Sequence, residues 1–172
     1  MAKKIVLAIA FEGYQPVEYA TPKQMLEKAG HVVTTASDAI GKATSKYDDK
    51  VEVDIRLSDA VPEKYDALYI IGGPGALKHL DNETTHQVLK LWKESGKPYG
   101  AICISSRILA HAGVLDRVKA TGWNGDGEAP DILQTHGATF VHQGAVRDGN
   151  VVTADGPESA EEFGKYILEC LK

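Results

Sequence analysis

Short apolar runs alternate along the chain with amphipathic stretches and glycine- or proline-marked breaks. Residues 5–10 (IVLAIA) are continuously apolar, the pattern of a parallel strand buried on both faces. A loop with Gly13 and Pro16 follows, and then a helical stretch to Ala29 that stops at Gly30. Residues 31–37 (HVVTTAS) are rich in β-branched side chains and predict a second strand. The polar stretch 38–57 alternates weakly through Val51, Val53 and Ile55, which predicts a peripheral hairpin or short edge strands. Residues 65–71 (YDALYII) form the next buried strand, closed by Gly72-Gly73. An amphipathic helix spans 83–95 and ends at Gly96 and Pro98. A short apolar strand up to Ile102 then runs straight into a helix that ends near Gly113. Residues 119–137 read as loop with one helical turn, and 138–153 as two strands turning at Asp148-Gly149. A terminal helix covers 157–172, with Pro157 at its start and Glu158, Glu161 and Glu162 in its first turns. Strands alternating with helices imply a mostly parallel sheet covered on both faces. No repeat, low-complexity stretch or linker divides residues 1–172, which are expected to form one domain.

Composition narrows the function classes. The net charge is −5, and the lysines and arginines are scattered rather than clustered, which excludes nucleic acid as the expected partner. The longest apolar run, residues 5–11, is far short of the roughly 20 residues that cross a bilayer. Glu12 and Tyr14 follow it where a signal peptide would have a cleavage site, so no membrane association and a cytoplasmic location are expected. In such a reducing compartment the two cysteines, Cys103 and Cys170, are not expected to pair. Cys170 reads as a packing residue of the last helix.

Cys103 carries the chemistry. It sits where the strand ending at Ile102 meets a helix, with Ser105 and Ser106 at the capping positions. A thiol there faces free backbone N–H groups and the positive end of the helix, which favours thiolate. Hydrolases on open α/β sheets present their nucleophile at the same kind of turn. Two other strand ends carry unusual residues, the segment 11–18 (FEGYQPVE) and Gly72-Gly73-Pro74-Gly75. Neighbouring carboxyl ends of these strands would gather a carboxyl, a cradle of N–H groups and a thiol in one cleft.

Four features in this order resemble the ThiJ/PfpI family of the DJ-one superfamily. They are Ala101-Ile102-Cys103, the Gly72-Gly73 doublet, Glu18 twelve residues before Gly30, and Thr153-Ala154-Asp155-Gly156-Pro157 followed by Glu162-Phe163. The resemblance spans essentially the whole chain. It implies a flavodoxin-like three-layer α/β sandwich with a nucleophile elbow, of the class I glutamine amidotransferase type, assembled as a homodimer or larger homo-oligomer. It also implies Cys103 as nucleophile, Glu18 as its proton-carrying partner, and backbone amides of Gly72, Gly73 and Ile104 as the anion hole. No cofactor or metal is implied. The departures are specific. Family peptidases have histidine after the cysteine, where this chain has Ile104. They borrow a glutamate from a neighbouring subunit at the position of Leu77, and a human member has histidine at the position of Trp123. Peptidase activity is therefore not expected. The expected partner is a small electrophile, such as a reactive dicarbonyl turned into a hydroxy acid, or a related hydrolase or hydratase substrate. The alternatives are an oxidative-stress sensor in which Cys103 becomes sulfinate, and a chaperone in which the thiol plays no part.

Other residues are weaker candidates. Glu12 competes with Glu18 for the carboxyl role. Trp123 and Asn124 are candidates to line the pocket, although a tryptophan is as often plain core. Arg107 fits either an anion contact or, preferably, a salt bridge. Among six scattered histidines none has zinc-site spacing. His111 is expected to face away from the elbow, and His136 and His142 are the better placed.

Overall fold

The computed structural model describes residues 1–172. Its strands are β1 (Lys4–Ile9), β2 (Glu12–Tyr14), β3 (Val32–Ser37), β4 (Lys42–Ser45), β5 (Lys50–Glu52) and β6 (Ile55–Arg56) in the first part of the chain. β7 (Ala67–Ile70), β8 (Tyr99–Ile102), β9 (Lys119–Ala120), β10 (Thr139–Phe140), β11 (Ala145–Asp148) and β12 (Val151–Ala154) follow. The helices are α1 (Pro16–Lys28), α2 (Ala76–Leu80), α3 (Glu83–Ser95), α4 (Ser106–His111), α5 (Ala129–Thr135) and α6 (Ala160–Cys170).

Seven strands make the central sheet, in the order β11-β12-β8-β7-β1-β3-β6. All neighbours are parallel except the β11–β12 hairpin at one edge. The continuous apolar run of β1 has a direct cause in this arrangement. Ile5, Leu7 and Ile9 enter the core on one face, while Val6, Ala8 and Ala10 enter the core on the other. All six are fully buried. Neighbouring β7 divides the same way, with Leu68 and Ile70 on one face and Tyr69 and Ile71 on the other. Helices α1 and α6 cover the first face through Tyr19, Leu26, Phe163 and Ile167, and α2, α3 and α4 cover the second through Leu80, Leu89, Trp92 and Leu109. Burial of each large side chain contributes roughly 1.5–3 kcal/mol. Gly100 interrupts β8 because a Cβ there would collide with the Val152 carbonyl of β12.

The mostly parallel three-layer α/β architecture is the one the sequence predicts. Details differ. The stretch after β1 is not free loop, because β2 pairs with β4 and draws the β4–β5 hairpin over the end of the sheet. α2 lies in a segment with no clear periodicity and was not anticipated. α5 has seven residues rather than one turn. The β11–β12 turn falls at Gly149-Asn150, one position later than predicted, since Asp148 still pairs with Val151. No helix is long and apolar enough to cross a membrane.

Candidate active site

The chain passes from β1 to β3 on one side and later returns to β7 on the other, so the strand order reverses between β1 and β7. Open α/β sheets place their sites outside the carboxyl ends of the strands at such a point. Cys103 is the first residue beyond β8, with φ of 63°, a left-handed conformation that costs a non-glycine residue roughly 1–2 kcal/mol. Two hydrogen bonds hold the turn. Ser105 Oγ donates to the Ile71 carbonyl at 2.7 Å, and the Trp123 N–H donates to the Cys103 carbonyl at 3.1 Å. The serines therefore do not cap the helix as expected. Ser105 ties the elbow to the end of β7, and the buried Ser106 hydroxyl has no partner.

Glu18 arrives from the first turn of α1, whose entry is set by Pro16 and by the Gln15 side chain accepting from the Val17 N–H. Its side chain is wholly buried, and Oε2 accepts the Gly72 N–H at 2.9 Å. The Gln15 N–H in turn donates to the Gly72 carbonyl at 3.0 Å. Gly72 is thus the joint between α1 and the elbow, and a side chain there has no room. A Cβ would lie 2.6 Å from both Cys103 Cβ and Glu18 Oε2. This corrects one expectation. The Gly72 N–H is taken by Glu18 and is not free to hold an anion. The N–H groups of Ile104 and Gly73 lie close enough to the Cys103 sulfur to pull its pKa down.

Glu18 and Cys103 titrate as a coupled pair. Burial pushes the Glu18 carboxyl up to about 7, against the smaller opposing effects of the Cys103 thiol, the Gly72 N–H and the Lys46 charge. Burial, followed by the Glu18 carboxylate, pushes the Cys103 thiol up to about 12, although the Ile104 and Gly73 amides oppose this. The expectation of a thiol simply lowered by the helix end is therefore corrected. While Glu18 is ionised it repels a thiolate. A thiolate at neutral pH requires the carboxyl to hold the proton, and Glu18 Oε1, which has no well-formed hydrogen bond of its own, is the atom free to carry it.

The residues around the sulfur form a cavity of about 380 Å³, lined by Gln15, Glu18, Lys46, Gly73, Pro74, Cys103, Ile104, Trp123 and Pro157. It lies toward the small end of the range for small-molecule sites. No group of three His, Cys, Asp or Glu side chains is arranged to hold a metal ion.

The DJ-1/PfpI family profile matches residues 3–170. The chain belongs to the DJ-1/PfpI family. An uncharacterized protein of Methanocaldococcus jannaschii is 33% identical over 98% of this chain and 82% of its own length. The crystal structure of a ThiJ/PfpI domain protein from Brachyspira murdochii superposes with a TM-score of 0.92 at 26% identity, covering 99% of this chain and 96% of that one. Oxidized DJ-1 of Toxoplasma gondii superposes with a TM-score of 0.84 at 25% identity, covering 99% and 91%.

In this DJ-1/PfpI chain the remaining candidates separate clearly. Trp123 lines the Cys103 cavity. Glu12 is exposed on β2 and stands outside it, because the β2–β4 pairing turns that residue to solvent. Asn124 is also outside, where its Oδ1 accepts the Ala129 N–H at the start of α5. Arg107 makes the salt bridge, with Asp126, and does not line the cavity. None of the histidines reaches Cys103. His86 Nε2 and His111 Nδ1 each lie 2.7 Å from Asp81, and His136 meets His111 edge-on with ring centroids 5.2 Å apart. His142 packs against Phe140 beside an adjoining cavity. Leu77 packs against the core. Sequence reasoning missed Lys46, Gln15 and Pro157 as lining residues. Lys46 arrives through the Lys46 N–H donating to the Tyr14 carbonyl, a contact between segments that no local pattern announces. Cys170 is half-buried at the end of α6, as a packing residue.

Proposed function

We propose that this DJ-1/PfpI protein is a cofactor-free, cysteine-dependent enzyme acting on small reactive carbonyls. The observation that carries this reading is the juxtaposition of Cys103 and a fully buried Glu18 across Gly72, with the Gly73 and Ile104 amides beside the sulfur. A thiolate and a carboxylic acid are the pair needed to add sulfur to an aldehyde and protonate the resulting oxyanion. For a 2-oxoaldehyde the sequence balances without an external oxidant. Sulfur bonds to the aldehyde carbon, and Glu18 gives its proton to the oxygen. The carboxylate then takes the proton from that carbon and returns it to the adjacent carbonyl carbon through an enediol. A thioester of the 2-hydroxy acid results, and water cleaves it to release the acid and the thiol. The two amides stabilise the oxyanions. Attack on an unstrained peptide bond is disfavoured, since no imidazole adjoins Cys103.

The test is incubation of the protein with methylglyoxal, followed by proton NMR. Lactate should appear at a rate proportional to protein concentration with no cofactor added. If neither methylglyoxal nor glyoxal is converted, the enzymatic reading fails. A second reading, in which Cys103 becomes a sulfinate, is favoured by the oxidized state of the Toxoplasma relative and by the same two amides. Under mild peroxide it predicts a mass gain of two oxygens confined to the Cys103 peptide, with Cys170 unchanged.

A further inference from the structure

The segment that carries Trp123 is a surface loop, held to the elbow at its start by the Trp123 N–H donating to the Cys103 carbonyl. Gly122, Gly125 and Gly127 punctuate it, and residues 123–128 are all exposed. Trp123 nevertheless forms a wall of the Cys103 cavity and separates it from an adjoining cavity of about 360 Å³ that includes Phe140, His142 and Asp155. The side chain that holds it comes from α4, one turn beyond the elbow. Arg107 is nearly buried at 6% exposure, and its guanidinium grips Asp126 with both terminal nitrogens, Nη1 to Oδ2 at 3.0 Å and Nη2 to Oδ1 at 2.7 Å. Nη2 also donates to the Trp123 carbonyl at 3.3 Å, and the guanidinium lies 5.5 Å from the Trp123 ring centroid. On the loop side the indole lies against Gly125, where a Cβ would come 2.7 Å from its Cε2.

We infer that Arg107 is a positioning residue which, through Asp126 and the Trp123 ring, fixes the width of the Cys103 cavity and restricts it to compact carbonyl compounds. The inference rests on the reading of Cys103 as the nucleophile and adds a substrate-size limit to it. Arginine is specifically suited to the task. A planar fork binds a carboxylate with two bonds while its face stacks on an aromatic ring, and lysine does neither. The exposed end of the ion pair contributes little to stability by itself, so its consequence lies in where the tryptophan stands.

The test compares N-methylmaleimide with N-(1-pyrenyl)maleimide, which share a reactive group and differ in bulk. Rates are read by mass spectrometry on the Cys103 peptide, with Cys170 counted separately. Taking the ratio of bulky to small reagent cancels any change in thiol ionisation. Trp123→Ala should raise that ratio at least about tenfold, and Arg107→Lys and Asp126→Asn should each move it most of the way there. Asp126→Asn alters the outer end of the pair, so it keeps the test valid if Arg107→Lys unfolds. A ratio that stays at the wild-type value in Asp126→Asn and in folded Arg107→Lys, or in Trp123→Ala, overturns the proposal. If wild-type Cys103 resists both maleimides, the enzymatic reading fails separately, and the pin is judged by acrylamide quenching. Trp92 is fully buried, so the quenchable fluorescence belongs to Trp123. Arg107→Lys and Asp126→Asn should then steepen quenching at least about twofold, and an unchanged slope overturns the pin.

Discussion

Replacing Cys103 by serine is expected to lower dicarbonyl turnover by at least about a thousandfold, and Glu18→Gln by about a hundredfold or more. Serine keeps the shape of the elbow but has no accessible anion near neutral pH. Glutamine keeps the hydrogen bond from Gly72 but has no proton to give. The pH dependence separates this mechanism from mere packing. Between about 7 and about 12 the Glu18–Cys103 pair holds one proton, because burial raises the carboxyl and burial plus the carboxylate raises the thiol. The proposed mechanism places that remaining proton on Glu18 opposite a thiolate, so it expects alkylation of wild-type Cys103 to rise through about 7, as the pair's first proton leaves. In Glu18→Gln that first step is gone. Burial, the largest influence on the sulfur, remains, so the rise should move to higher pH, above the ordinary thiol value. Rates on the Cys103 and Cys170 peptides, measured from pH 5 to 11, decide the matter. If wild-type Cys103 stays unreactive until the pH approaches 12, the remaining proton sits on sulfur, and Cys103 is no nucleophile at neutral pH.

How much of this was legible beforehand depends on the range over which each signal acts. β1 was readable because six consecutive apolar residues have one explanation, burial on both faces, and the two cores confirm it residue by residue. The elbow was readable because strand, cysteine and helix are contiguous. Glu18 was identifiable only by resemblance, since nothing local distinguishes it from Glu12, four positions from the start of α1. What separates them is tertiary: the β2–β4 pairing turns Glu12 outward, while the bond to Gly72 draws Glu18 in. Lys46 stayed invisible for the same reason, lying in a polar stretch with no periodicity of its own. The thiol's electrostatics were misjudged because a helix end is a local feature, whereas burial and a carboxylate from another helix are not. Here the distant terms are the larger.

Glu18→Gln should also make the protein more stable above neutral pH, by up to about 3 kcal/mol. The Glu18–Cys103 pair sheds its first proton at about 7 in the fold, whereas the carboxyl sheds it at its ordinary value near 4.5 when the chain is unfolded. Between those values the folded state binds the additional proton, so stability contributed by the protonated acid is complete below about 4.5. It is lost as pH climbs to about 7. Burial is the first cause of the shift, and the Cys103 thiol, the Gly72 N–H and the Lys46 charge offset it only in part. Glutamine is neutral throughout and retains an acceptor for the Gly72 N–H, so the variant should follow the wild type near pH 4.5 and diverge upward by pH 8. For a chain of this length a difference of that size raises Tm by about 6–12 °C at pH 8. Thermal unfolding of both proteins at pH 4.5, 6 and 8 provides the check. Equal melting curves at all three values would mean that Glu18 is solvated or paired in solution, and the proton-sharing account of the thiolate would fall with it. A gain in stability together with the loss of Cys103 reactivity would identify the buried acid as a feature kept for chemistry at the expense of the fold.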